Sequence, residues 1–362
     1  MKVMDDEPPR QTPLSRRRVA ALLTALIAVA GTFGAVVALV ERAPTGSPPG
    51  RIESPGPSTS PTVAPTPIPR PPVLGSGFSV ADDPATHFVI LFGGIDSYDT
   101  TWLWDGNQWA LVRPSASPPG RFGAAAAYDP VTRQVMLFGG RLAPGGPVND
   151  TWAWDGANWR ELDGGSGGPP AGEGSLMAWD EAAAQMVLVT PAAMSAGSQT
   201  WVWARNHWVL RPAGDLPVGA FGRGMSFDPI SRTLLFVGTN PPNGAGTSTW
   251  QWRGSSWHDL PADISAAPAG VALDPSSGRL LLCGTIPGAP APQLWTWGGA
   301  AWAPMPASDL PIQPEAVTSD LIQDQFLIFG SLTPPSQGAP QPLQLWWWSG
   351  HGWVESDVSA AA

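Results

Sequence analysis

The sequence has one cysteine and, among its 19 basic residues, one lysine; it has two tyrosines, and charged residues make up only 13% of 362 positions. A single Cys283 excludes an intrachain disulfide framework. The shortage of lysine, in a chain of net charge −10, leaves no basic stripe to displace counterions, so nucleic acid is excluded as a partner. There is no Gly-Lys-Ser/Thr phosphate loop, no Gly-x-Ser-x-Gly elbow and no His-x-His pair. Hence no motif calls for a catalytic residue, metal or cofactor. Abundant instead are glycine (42), proline (43) and tryptophan (20), and a disordered chain of this size would hold far fewer tryptophans.

Charge divides the chain. Residues 1–75 carry net +3 and residues 76–362 carry net −13. Within the first part, Val19 to Val40 is a run of 22 uncharged residues behind Arg16, Arg17 and Arg18. At about 1.5 Å per residue it is roughly 33 Å long as a helix, enough for a bilayer core. The expectation is a short cytoplasmic segment at 1–18, a transmembrane helix at 19–40 and an extracytoplasmic remainder at the cell membrane, by the positive-inside rule. The rival reading is a cleaved export signal, but the apolar run exceeds the usual h-region and no small-x-small site follows cleanly. Residues 43–74 then hold 11 prolines and 8 serines or threonines. Residues 41–75 are therefore expected to be a disordered Pro/Ser/Thr-rich linker that holds the working part away from the membrane.

From about Gly77 the chain writes one unit six times. An Asp is followed ten residues later by a small residue closing an apolar run: Asp83/Gly93, Asp129/Gly139, Asp180/Thr190, Asp228/Gly238, Asp274/Gly284 and Asp320/Gly330. A second marker, Trp-x-Trp-x4-Trp, runs from Trp102/Trp104/Trp109 to Trp346/Trp348/Trp353 and uses 18 of the 20 tryptophans. The first two of each triplet lie on one strand face, and a turn such as Asp105-Gly106 or Asp155-Gly156 precedes the third. Each unit reads as four antiparallel strands, a to d, repeating every 45 to 51 residues. The fold class expected is all-β: a six-bladed propeller over 76–362 with contiguous blades and no strand exchanged at closure.

Leu91-Phe92-Gly93-Gly94, Leu137-Phe138-Gly139-Gly140, Asn149-Asp150-Thr151-Trp152 and the late Trp of every unit resemble the kelch-repeat propellers, over residues 77–357. Only the first two units keep the double glycine. The resemblance implies binding of protein partners, often through arginines that grip acidic peptides. Some kelch-like propellers are instead copper radical oxidases, which require a Cys–Tyr crosslink, a second Tyr and two His. Cys283, Tyr98, Tyr128 and His87, His207, His258 and His351 supply the residue types but not the placement.

A tryptophan recurring at one position of every blade answers a need of every blade, so the triplets are expected in the core. Trp347 stands outside the pattern. Cys283 takes the register of Phe92, Phe138 and Phe329, so it is expected as a buried small hydrophobe. Length varies only in the b–c and d–a connections, which emerge on one face. From the closing residue to the first Trp the distance is 9, 13, 11, 12, 11 and 16 residues. Variable loops on a rigid scaffold are where ligands bind. Tyr98, Arg121, Arg141, Arg211 and Arg223 are the candidate ligand contacts there. The function expected is a surface-displayed protein- or glycan-binding module; the alternative is an extracytoplasmic carbohydrate-active enzyme.

Overall fold

The computed structural model describes residues 66–67, 76–95, 97–191, 198–212, 216, 221–239, 246–306, 309–331 and 343–356. The anticipated membrane span and most of the linker lie outside them. Among the described residues no helix is long and apolar enough to cross a membrane.

Six antiparallel four-stranded sheets follow one another along the chain. Blade 1 runs Ser79–Asp83, Phe88–Phe92, Thr101–Trp104 and Trp109–Val112. Blade 2 runs Ala125–Asp129, Gln134–Phe138, Thr151–Trp154 and Trp159–Asp163. Blade 3 opens at Leu176–Asp180, blade 4 at Phe221–Asp228, blade 5 at Ala267–Asp274, and blade 6 runs from Gln313–Asp320 to Trp353–Glu355. Each blade is one contiguous segment, with strand order a-b-c-d from the inside outwards. Two features were not anticipated. Thr66–Pro67, inside the expected linker, pairs with Leu111 and Ala110 as a fifth strand on the outer edge of blade 1. A two-stranded ribbon joins Arg121–Phe122 to Arg141–Leu142.

Both sequence markers have a physical cause. The Asp at the end of every strand a closes the a–b turn with its carboxylate. Asp129 accepts from Val131 N at 2.9 Å and from Thr132 Oγ1 at 2.8 Å, and Asp228 accepts from Ile230 N at 3.1 Å and Ser231 Oγ at 2.6 Å. The same turn appears at Asp83, Asp180, Asp274 and Asp320. Four residues after each Asp the backbone enters the left-handed region: His87, Arg133, Ala184, Arg232, Gly278 and Asp324. Only blade 5 uses the residue type that adopts this conformation without steric cost. Ala184, at φ +49°, should gain about 0.5–1 kcal/mol on substitution by glycine. The urea midpoint of Ala184→Gly should rise; a fall would mean that the strain is already relieved.

The tryptophans build the blade interfaces. In all six blades the second and third Trp of the triplet face each other across strands c and d, with ring centroids 5.0–5.5 Å apart. The third Trp then reaches the preceding blade. Trp159 Nε1 donates to Thr101 Oγ1, Trp208 to Thr151, Trp257 to Thr200 and Trp302 to Thr249, at 2.8–3.0 Å in buried surroundings. Blades 5 and 6 carry Leu294 and Leu345 where the others carry that threonine. Accordingly Trp109 Nε1, which faces blade 6, is buried without a partner. Among the described residues the ring closes by packing and by a hydrogen bond of another kind. Phe78 and Trp109 lie 6.1 and 6.2 Å from Phe329, and Leu321 N donates to Asp82 Oδ2 at 3.1 Å. Trp347, the irregular tryptophan, packs on the cluster shared by blades 1 and 6.

Candidate functional site

The inner strands surround a central channel. One residue per blade, Val80, Ala126, Met177, Met225, Val271 and Val317, lines both of its cavities and forms an apolar waist. On the side of the b–c and d–a loops the cavity measures about 200 Å³. On the side of the a–b turns it measures about 360 Å³.

The loop-face mouth is shaped by bulges. In blades 4, 5 and 6 the a–b pairing skips one residue, between Gly222 and Gly224, Pro268 and Gly270, and Pro314 and Ala316. The skipped residues are Arg223, Ala269 and Glu315, and all three line this cavity. A bulge frees a side chain from the alternation of the strand and re-aims it. Here it carries one guanidinium and one carboxylate to a wall otherwise uncharged, made of Ala, Gly, Val, Met, Leu, Phe and two serines. Burial raises the Glu315 carboxyl above the usual range, although the residue as a whole is exposed. Gly224 leaves no room for a side chain, since a Cβ there would stand 2.6 Å from Val271 N. Ser79 Oγ is committed to Ala124 O at 2.8 Å, whereas Ser175 Oγ is buried with no partner.

The structure separates the five sequence candidates. Arg223 is exposed at the channel mouth. Arg141 is exposed on the two-stranded ribbon of blade 2, and Arg211 is exposed at the end of His207–Arg211, the outer strand of blade 3. Tyr98 is half-buried, its ring 6.2 Å from that of Phe122. Arg121 is withdrawn from the surface, with 1% exposure. Its guanidinium donates to Pro119 O at 3.0 Å, to Gly139 O at 2.9 Å and to both carboxylate oxygens of Asp150. Asp150 also accepts from Trp152 Nε1 at 2.7 Å, and Asn149 Nδ2 donates to Gly165 O and Pro169 O. The Asn-Asp-Thr-Trp motif thus fixes a loop, a buried arginine and the next blade in turn. The backbone also ties the two candidates together, Tyr98 O accepting from Arg121 N at 2.8 Å. Glu315 and Ser175 were not anticipated; the register with Arg223, five residues before the Asp, was the available signal.

The oxidase constellation is not assembled. Cys283 is fully buried in a cluster of Leu281, Leu294, Ile312, Phe326 and Ile328, with no tyrosine in it, and burial pushes its thiol far up. A Cys–Tyr crosslinked copper site therefore does not fit these residues. Among the described residues no three His, Cys, Asp or Glu gather as metal ligands.

No protein-family model matches the chain, and no curated sequence is similar to it. Solved structures do match in fold. YjhT superposes at a TM-score of 0.56 with 13% identity, covering 80% of this chain and 99% of that one. A six-bladed fucose-recognising lectin from Aleuria aurantia gives 0.53 and 16%, covering 78% and 94%. AofleA from Arthrobotrys oligospora gives 0.55 and 12%, covering 79% and 86%. At these identities the likeness shows the fold alone: a six-bladed β-propeller of four-stranded antiparallel blades.

Proposed function

We propose that this propeller is a binding module that takes a polar ligand, a glycan or a peptide, at the loop-face mouth of its channel. The observation that carries this reading is the set of three consecutive bulges that bring Arg223 and Glu315 to one opening. Such a pair offers donors and acceptors together, as both sugar hydroxyls and peptide groups require. Arg141 and Arg211 extend the basic character of the same loop face. Lectins among the fold neighbours make a glycan a reasonable first class to test. Membership of the kelch-repeat family, an anchor at Val19–Val40 and display outside the cell belong to the same proposal. They rest on the repeat markers and on the basic residues before the apolar run.

The test is a glycan array and a peptide library probed with the full chain in detergent, alongside Arg223→Ala and Glu315→Gln. Loss of one hydrogen bond to a charged group should weaken a ligand about 10- to 100-fold. A ligand whose affinity is the same in both variants would place the site elsewhere.

A further inference from the structure

The opposite mouth has a different chemistry. One residue per blade, directly before the turn Asp, surrounds the 360 Å³ cavity on the a–b side: Asp82, Tyr128, Trp179, Phe227, Leu273 and Ser319. All six are partly exposed. Three aromatic rings stand on blades 2, 3 and 4, an aliphatic side chain on blade 5, and a hydroxyl and a carboxylate on blades 6 and 1. Each apolar member also packs on a blade interface, so packing accounts for four of the six. Packing does not account for Asp82. Its Oδ2 accepts from Leu321 N at 3.1 Å, but its Oδ1 is buried with no partner in the protein. A carboxylate oxygen in that state costs stability unless something else meets it.

Nothing basic meets it from the protein. The cavity is lined by two carboxylic residues, Asp82 and Glu181, and by no Lys, Arg or His. The charges that act on Asp82 from beside it, Asp320 and Asp83, are of its own sign. Arg133 is engaged elsewhere, with the Tyr128 hydroxyl and with Asp83, and does not line the cavity. Three of the six turns on this face, those of blades 2, 4 and 6, present apolar side chains: Val131 is 71% exposed, Ile230 57%, and Leu321 and Ile322 44% and 42%. An inorganic divalent ion needs several charged or strongly donating ligands, and among the described residues no three His, Cys, Asp or Glu gather to supply them. An ammonium group beside aromatic faces and one carboxylate is the complementary species, and the apolar rim suits the rest of such a molecule.

We propose that the a–b mouth of the channel is a second binding site, for an organic monocation: a protonated amine that carries an apolar group. The partly exposed Asp82 carboxylate supplies the negative charge at the wall, the arc of Tyr128, Trp179 and Phe227 covers the ammonium, and the hydrocarbon part lies towards Leu273 and the turn tips. The site is independent of the loop-face site, and the waist residues stand between the two.

The probes are phenethylammonium, its neutral isostere 2-phenylethanol and the anion phenylacetate, titrated calorimetrically into the full chain at pH 8. Phenethylammonium should bind at least 10-fold more tightly than phenylethanol, with no binding of phenylacetate. Asp82→Asn, which keeps an acceptor for Leu321 N, should abolish the preference for the amine while leaving weak binding of the alcohol. Trp179→Ala should weaken both. Arg223→Ala, at the other mouth, should change neither, which separates failure of this site from failure of the loop-face site. Equal affinity for amine and alcohol, or an amine preference that survives Asp82→Asn, would overturn the proposal. So would the absence of any phenethylammonium binding at millimolar concentration.

Discussion

Arg121→Ala should lower the unfolding free energy by about 3–5 kcal/mol, the usual cost of removing one partner from a buried ion pair. The reason is local. Arg121 is 1% exposed and donates to two carbonyls and to both oxygens of Asp150, whose side chain is 16% exposed. Truncation takes these donors from both carbonyls and leaves a mostly buried carboxylate with no counter-charge and only the Trp152 Nε1–H as a side-chain donor. At about 2–4 °C per kcal/mol for a mid-sized domain, the thermal midpoint should fall on the order of 10 °C. Tryptophan fluorescence during urea or thermal unfolding reads the change directly. Replacing both partners, Arg121→Met with Asp150→Leu, should recover a large part of the loss, because neither charge is then stranded. Arg121→Lys should not, since an ammonium cannot hold both carboxylate oxygens and the carbonyls in one plane. A loss under about 1 kcal/mol for Arg121→Ala would mean that the pair is not structural. Until stability is measured, weakened ligand binding in an Arg121 variant reports on folding, not on contact.

Acidification should stabilise this protein across a range where many proteins are indifferent. Burial is the main cause that raises the Asp82 carboxyl from 3.8 to about 7, with Asp320 and Asp83 adding repulsion and the Leu321 N–H opposing. Burial also raises Asp83, Glu315 and Asp263. The sign follows from proton counting. Between about pH 4 and pH 7 the folded state holds a proton on Asp82 that the unfolded chain has released. Stability therefore falls as pH rises through that window, by about 1.4 kcal/mol per unit at most, and levels off above it. From pH 5 to pH 7.5 the loss assigned to Asp82 is on the order of 2–3 kcal/mol. Urea midpoints at the two pH values should differ accordingly, and Asp82→Asn should remove most of the difference. A wild-type midpoint that is flat or rises over this range would remove Asp82 from the account. Saturating phenethylammonium should also flatten the profile from the alkaline side, by holding the carboxylate charged.

The features legible in the sequence were those that every blade needs. Asp83 and its five counterparts recur because each a–b turn needs a carboxylate to hold its backbone N–H groups. The Trp triplets recur because each c–d pair needs facing rings and each interface needs bulk. Strand b was legible for the same reason: the apolar run Phe88–Phe92 is the observed strand. Single instances were not legible. Arg121 meets Asp150 across 29 residues, and no repeat announces the pair, so it read as one loop arginine among several. Thr66–Pro67 has no alternation to mark it as a strand, and proline suits only an edge, where it was found. The loop-face mouth was readable as a face but not as a site, because the bulges that aim Arg223 and Glu315 are backbone events. Asp82 was visible as a broken register beside Tyr128, Trp179 and Phe227, but its unpaired oxygen needed coordinates.

Contiguous blades carry a consequence for how the ring comes into being. Every strand pairing within a blade is local, so a growing or emerging chain can complete blade 1 before blade 2 is available, and so on in order. The four Trp-to-Thr bonds fall on the joints 1–2, 2–3, 3–4 and 4–5, the ones such a vectorial assembly makes first. The joint between blades 6 and 1, where Trp109 Nε1 is buried without a partner, is made last. Construction therefore ends on the joint that lacks this bond, and the same order reversed is the order in which the ring comes apart. Blade 6 is at once the keystone and the latch.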